Sequence, residues 1–241
     1  INARVGFLGE GANTVGGHVA RALPTGANAR TMFEQPRQAY VLMGIEPEFD
    51  CANPQLAVGA LRQAGLVVLM SAFKHAPALE YADVMLPIAP FTETSGTFVN
   101  TEGRAQSFTG VVKARGDCRP AWKVLRVLGN VLNLDGFTYE SSEAVRDEAI
   151  GKGTEFVAGL DNGLHGVAIN LESAPAGGIQ RIADVPVNFA DPIARRAPAL
   201  RQTADSAAPT ARMNEALLAK LGLAAGDRVR VRQGAGEALL T

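Results

Sequence analysis

The stretch "PIAPFTETSGTFVNTEGRAQSF", Pro87–Phe108, runs from an apolar strand end into a polar loop, and its reading decides the fold. Gly96 and Gly103 read as turn residues flanking a short strand, Thr97–Val99, and Asn100, Glu102 and Arg104 fall around the second turn. Such a set has two meanings. An Asn side chain that accepts local backbone N–H groups merely fixes a hairpin. The same residue types, held outward, form a ligand clamp.

Upstream, short apolar runs alternate with helix signals. "ADVMLP" (Ala82–Pro87) and "LVVLM" (Leu66–Met70) read as strands, as does "QAYVLMG" (Gln38–Gly44), a continuous apolar run of the kind buried on both faces of a parallel sheet. Between them, "NPQLAVGALRQAG" has Asn53 as N-cap, Pro54 at the first helical position and Gly65 as its stop. This alternation predicts an α/β fold, a doubly wound and mostly parallel sheet with right-handed crossovers. All strand carboxyl ends then share one edge, the usual place for ligands. Glu46 and Glu48 fall there after one strand, Ser71, Lys74 and His75 after the next, and Thr92, Glu93, Thr94 and Ser95 after the third.

The opening "RVGFLGEGANTVGGHVARAL" (Arg4–Leu23) predicts a strand at Val5–Leu8, a turn and a helix. Its glycines, Gly9, Gly11, Gly16 and Gly17, suggest a dinucleotide fingerprint, but Thr14 stands at the third glycine position. No acidic residue follows at the spacing a ribose needs. Close backbone packing is the better reading.

Downstream, "CRPAWKVLRVLGNVLNL" (Cys118–Leu134) predicts a helix with Pro120 near its start and a core stripe of Trp122, Leu125, Leu128 and Leu132. A second helix covers Ser142–Ile150. Gly151 to Pro209 is rich in Gly, Pro, Ala and Asp, a long irregular connection that wraps a neighbour or links domains. Then a helix with Met213, Leu217 and Leu221 ends at Gly222, Gly226-Asp227 turns, and Val229–Arg232 alternates as a half-buried strand. Three regions follow: an α/β domain at 1–150, a linker at 151–209, and the incomplete start of a β domain at 210–241.

The 241 residues are 47% hydrophobic and 20% charged, with a formal net charge of −1, which suits a globular core and disfavours nucleic-acid binding. No apolar run is long enough for a membrane span. Cys51 and Cys118 lack metal-ligand spacing, and His18, His75 and His165 are scattered, so neither a zinc site nor an iron–sulfur cluster is expected from this sequence. The chain opens at Ile1 almost within a strand and stops as a strand returns after a turn, so it reads as a piece of a longer protein.

The loop residues resemble the molybdopterin oxidoreductase superfamily, in which A-D-x-x-L-P leads to a Glu and then G-T-x-x-N-x-E-G-R-x-Q. Here Ala82, Asp83, Leu86 and Pro87 precede Glu93, Gly96, Thr97, Asn100, Glu102, Gly103, Arg104 and Gln106. "MNEALLAKLGLAAGDRVRV" is similar to the start of that superfamily's C-terminal double-psi β-barrel. Within the superfamily, Asn13, Gly16, Ala20 and Pro24, together with "CRPAWKVLRVLGNVL" and "DPIARRAPALRQT" (Asp191–Thr203), look like the family of large iron–sulfur subunits of bacterial NADH-quinone oxidoreductase (respiratory complex I).

That resemblance implies a non-catalytic scaffold for the electron-transfer part of a peripheral arm, with no catalytic residue and no metal ligand in this chain. It implies iron–sulfur clusters in an N-terminal portion of the same subunit. The partners implied are that portion and other peripheral-arm subunits, on the cytoplasmic side of the membrane without insertion. Glu93, Thr97, Asn100, Glu102, Arg104 and Gln106 are then a vestigial pterin groove or a loop-fixing set, and loss of the Arg104 side chain is expected to cost about 1–3 kcal/mol of stability. The alternative is a genuine molybdenum or tungsten bis-pterin oxidoreductase, related to formate dehydrogenase or nitrate reductase. In that case Glu93, Asn100 and Arg104 lie near a pterin guanine dinucleotide, where a guanidinium suits a phosphate.

Overall fold

A computed structural model describes residues 14–22, 24, 26–100, 102–152, 158, 178–182, 185–234 and 236–241. The chain divides into two compact units, Ile1–Arg181 and Ile182–Thr241. The expected strand Val5–Leu8, with Gly9, Gly11 and Asn13, and much of the Gly151–Pro209 connection lie outside the described residues.

In the first unit α1 (Thr14–Val19) and α2 (Ala29–Glu34) precede β1 (Ala39–Met43), then α3 (Pro47–Asp50), α4 (Pro54–Gln63), β2 (Leu66–Ser71) and β3 (Val84–Pro87). The three strands form one parallel sheet in chain order, with Leu42 opposite Leu69 and Leu69 opposite Met85. Asn28 and Asn53 cap α2 and α4 by accepting the N–H groups of Thr31 and Leu56 at 3.0 Å, each satisfying a donor that the first helical turn leaves free. Helix α4 ends at Gln63 with Ala64 as its C-cap, so Gly65 stands just past the end, and its N–H donates to the Gln38 carbonyl at 2.8 Å, which lines up β2 beside β1.

Tyr40, Leu42, Val67 and Leu69 pack with Phe33, Ala57, Ala60 and Leu61 as the core. The expectation that β1 is buried on both faces is corrected: Tyr40 and Leu42 are buried, whereas Val41 is 57% exposed and Met43 also faces outward. Among the described residues α2 and α4 cover the Tyr40–Leu42 side, and one covering layer buries alternate residues.

The Asp83 carboxylate accepts Val67 N–H at 2.7 Å, while Asp83 N–H donates to the Val67 carbonyl at 3.0 Å. This pair fastens the entry of β3 to the start of β2. A hairpin follows, β4 (Gly96–Val99) with β5 (Ala105–Phe108), its Phe98 and Phe108 rings stacked at 5.0 Å. Gly96 is a strand residue rather than a turn residue: the Phe108 ring lies where its Cβ would be.

Helix α5 (Ala121–Val131) begins after Pro120 as expected, and α6 (Ser142–Ile150) is capped by Ser141, which accepts Ala144 N–H at 3.1 Å. The predicted core stripe is corrected: Trp122, Leu125 and Leu128 are half-buried, and Leu132, one residue beyond the helix end, is exposed. In the second unit, short helical turns at Val187–Phe189, Ala194–Arg196 and Ala204–Ser206 accompany α7 (Pro198–Arg201) where an irregular connection was expected. Helix α8 (Glu215–Leu221) is capped by Asn214 and ends at Gly222, whose φ of 67° is left-handed. Antiparallel β6 (Val229–Gln233) and β7 (Gly236–Leu240) follow.

Gly129 is buried in α5 with the Phe137 ring filling the space of its missing side chain. Gly129→Ala is expected to destabilise the chain by about 1–3 kcal/mol, because the ring must move to admit a methyl group. An unchanged denaturation midpoint would contradict that packing.

Candidate functional site

The polar loop after β3 separates the residues that the sequence grouped. Glu93 ends a single helical turn before β4, and its Oε2 accepts Arg115 N–H at 3.0 Å. Asn100, Glu102 and Arg104 sit at the hairpin's far tip. The four residues of β4 lie between, a span of about 13 Å in an extended strand. Thr97 Oγ1 lies 2.9 Å from Ser107 Oγ across the hairpin, and Gln106 is exposed opposite Phe98. Five of the six residues are thus strung along one hairpin, and Glu93 stands before it.

At the tip, Asn100 organises the turn. Its Oδ1 accepts two backbone N–H groups, from Glu102 at 3.1 Å and from Arg104 at 2.9 Å. Its own backbone N–H donates to the Arg104 carbonyl, and its carbonyl accepts Gly103 N–H. Gly103 has a φ of 82°, a left-handed conformation that glycine adopts without a Cβ penalty. Arg104 Nη2 stands 3.6 Å from Glu102 Oε2, both side chains 71% exposed. Among the described residues the loop therefore closes by Asn100 on backbone amides, and the Arg104 guanidinium takes part through a solvated ion pair. An ion pair so exposed is worth little, so less stability is expected from the Arg104 side chain than from Asn100.

Beside Glu93 a cavity of about 370 Å³ opens between Thr94, Thr109, Lys113, Trp122 and Glu140. Its three carboxylates are already engaged: Glu93 with Arg115 N–H, Glu140 with Arg126 at 2.9 Å, and Glu143, whose Oε2 accepts the Ser142 hydroxyl at 3.1 Å.

A second polar cluster forms at the carboxyl edge of the sheet, where the sequence placed Glu46, Glu48 and His75 without joining them. His75 Nδ1 lies 4.0 Å from Glu46 Oε1 and Nε2 lies 3.6 Å from Glu48 Oε2, all three side chains largely buried. Tyr81 and Cys51, not singled out in the sequence as site residues, complete it. Burial first, and then the neighbouring Glu48 and Glu46 carboxylates, push the Tyr81 phenol up, so it keeps its proton. Burial, with Asp50 and Glu48 adding to it, pushes the Cys51 thiol up to about 11. No sequence signal marks Tyr81, whose hydrophobic context reads as core. Among the described residues no group of three or more His, Cys, Asp or Glu side chains is arranged to hold a metal ion, and no helix is long and apolar enough to cross a membrane.

Two outcomes test this geometry. Asn100→Ala is expected to lower stability by about 1–2 kcal/mol, since two turn amides lose their acceptor, whereas Arg104→Ala stays within about 0.5 kcal/mol; chemical denaturation of both variants reads the difference, and the reverse order would refute the closure. The raised Cys51 pKa means that folding favours the protonated thiol. Its contribution is complete below the ordinary value of 9.0 and is lost as pH rises towards about 11. At pH 8, iodoacetamide is expected to label Cys51 at least about tenfold more slowly in the folded than in the unfolded chain; equal rates would contradict its burial.

Known proteins resemble much of the first unit. A protein of Staphylococcus aureus (strain MRSA252) named "Putative formate dehydrogenase" is 40% identical over 119 residues, 49% of this chain and 12% of the relative. A protein of the same name from Staphylococcus haemolyticus (strain JCSC1435) is 30% identical over 114 residues, 47% of this chain and 11% of that one. The chain thus spans about an eighth of the length of these relatives. Acetylene hydratase from Pelobacter acetylenicus is similar with a TM-score of 0.44 and 20% identity, over 56% of this chain and 19% of the other. The family described as Molybdopterin oxidoreductase matches residues 3–131, from before α1 to the end of α5, taking in the parallel sheet, the carboxyl-edge cluster and the Asn100 hairpin. The chain belongs to the molybdopterin oxidoreductase family.

Proposed function

We propose that this chain is a structural portion of the large subunit of a molybdopterin-family oxidoreductase, a support for the cofactor-bearing parts of its parent and not itself the seat of reacting groups. The observation that carries this reading is the closure of the Asn100–Arg104 loop. Asn100 Oδ1 is occupied by the Glu102 and Arg104 amides, and the Arg104 and Glu102 side chains face each other in solvent. A phosphate cradle needs donors held towards an anion, whereas this loop turns the Glu102 and Arg104 amides inward on Asn100. Turned inward, those amides do not form such a cradle for a pterin dinucleotide.

Two parents are compatible with such a support. The similarity to proteins named as formate dehydrogenases favours a molybdenum or tungsten bis-pterin oxidoreductase, with its metal ligand in sequence outside this chain. The second reading is the large iron–sulfur subunit of NADH-quinone oxidoreductase, a scaffold within a peripheral arm whose clusters lie in another portion of the subunit. The self-closed loop favours it, because a portion that holds no cofactor has no use for an open clamp.

The metal content of the whole protein, captured with an antibody against this chain, separates them. Stoichiometric molybdenum or tungsten is expected on the first reading. Iron without either metal, with NADH-oxidising partners in the eluate, would overturn it in favour of the second.

A further inference from the structure

Side chains alternate between the two faces of a strand, so the sheet has a second face, turned away from the core that α2 and α4 cover. On it Val41 stands opposite Val68, and Val68 opposite Val84; one step along, Met43 stands opposite Met70, and Met70 opposite Leu86. Every side chain that the three strands place on this face is apolar. Met70 is closed off, at 1% exposure, but Val41 keeps 57%, Met43 47%, Leu66 43% and Val84 41%. A continuous apolar patch of this kind marks an interaction surface.

The strand direction limits what can cover it. Crossovers between parallel strands lay helices on a sheet, and all-parallel sheets carry them on both faces. A second copy of this chain would lay sheet on sheet, the packing of antiparallel sandwiches. Sequence for a second helical layer is plentiful in the relatives, since the matched segment takes up only 12% and 11% of their length. The face offers no partner to a charge, so a Lys or Glu pressed against it would be desolvated without compensation.

We propose that this face seats an amphipathic helix from the parent protein's sequence outside this chain, packed across β1, β2 and β3 with an uncharged apolar stripe against Val41, Met43, Val68 and Val84. The docking rests on the reading of the chain as a structural portion of a larger subunit, and it names the surface that joins the chain to that subunit. It holds for either parent.

Met43 and Met70 are neighbours on the face, one open and one closed, and report on it without any substitution. Peroxide converts an accessible thioether to the sulfoxide, which mass spectrometry reads at each methionine. In the 241-residue chain Met43 is expected to oxidise at least about tenfold faster than Met70. In the whole native protein both are expected to oxidise slowly, and unfolding in urea makes them equally fast. Photo-methionine at position 43 of the whole protein is expected to cross-link to a segment outside the 241 residues, at positions spaced three or four apart. Met43 as reactive in the whole protein as in urea, or cross-links that stay within the 241 residues of one copy or two, would overturn the docking. A native protein no longer than this chain would overturn both the docking and the reading it rests on. A longer protein with an open Met43 overturns the docking alone.

Discussion

β2 lies between β1 and β3 with Val67 and Leu69 fully buried, and the common direction of these three strands constrains everything attached to them. Parallel pairing sends each carboxyl end to one edge. The Gln38 carbonyl and the Asp83 carboxylate both take amides at the start of β2, Leu66 and Val67 respectively, and so hold its register from either side. A slip of one residue would turn Leu42 and Leu69 out of the core. With the register held, the Glu46–Glu48 turn and His75 must meet, and the chain leaving β3 must run out into the Asn100 hairpin.

The two polar clusters of the first unit solve different problems. At the hairpin tip a neutral amide serves backbone donors, and the charged side chains remain in water where their pairing is weak. At the carboxyl edge, carboxylates are withdrawn from water around an imidazole, where charge matters far more. A family motif rich in Glu and Arg can therefore act mainly through its Asn, while residues outside the motif carry the buried electrostatics.

Local features were legible in the sequence because their causes are local. The cap Asn53, the helix stop at Gly222 and the apolar runs of β1, β2 and β3 each follow from a few adjacent residues. The half-exposed face of β1 was not legible, since a short apolar run does not reveal how many layers cover it. Gly129 read as one more helix residue; its role depends on Phe137, beyond the helix end. At the site, Asn100, Glu102 and Arg104 were found together, but which of them does the holding turns on a side-chain oxygen meeting two amides, a detail of turn geometry. Glu93 was grouped with them by motif, although an extended strand intervenes. Glu46, Glu48 and His75 were each placed at one edge, but their meeting rests on strand order and on a buried Tyr81 that composition presents as core.

On this reading the Asn100–Arg104 loop holds itself and not a cofactor. An electron-cryomicroscopy map of the whole protein, purified with whatever it binds, tests this most directly at residues 93–106. The expected map shows Asn100 Oδ1 on the Glu102 and Arg104 amides, with the Arg104 side chain in solvent and no bound group against it. Density for a dinucleotide phosphate on the Arg104 guanidinium, with Asn100 turned away from the two amides, would contradict it.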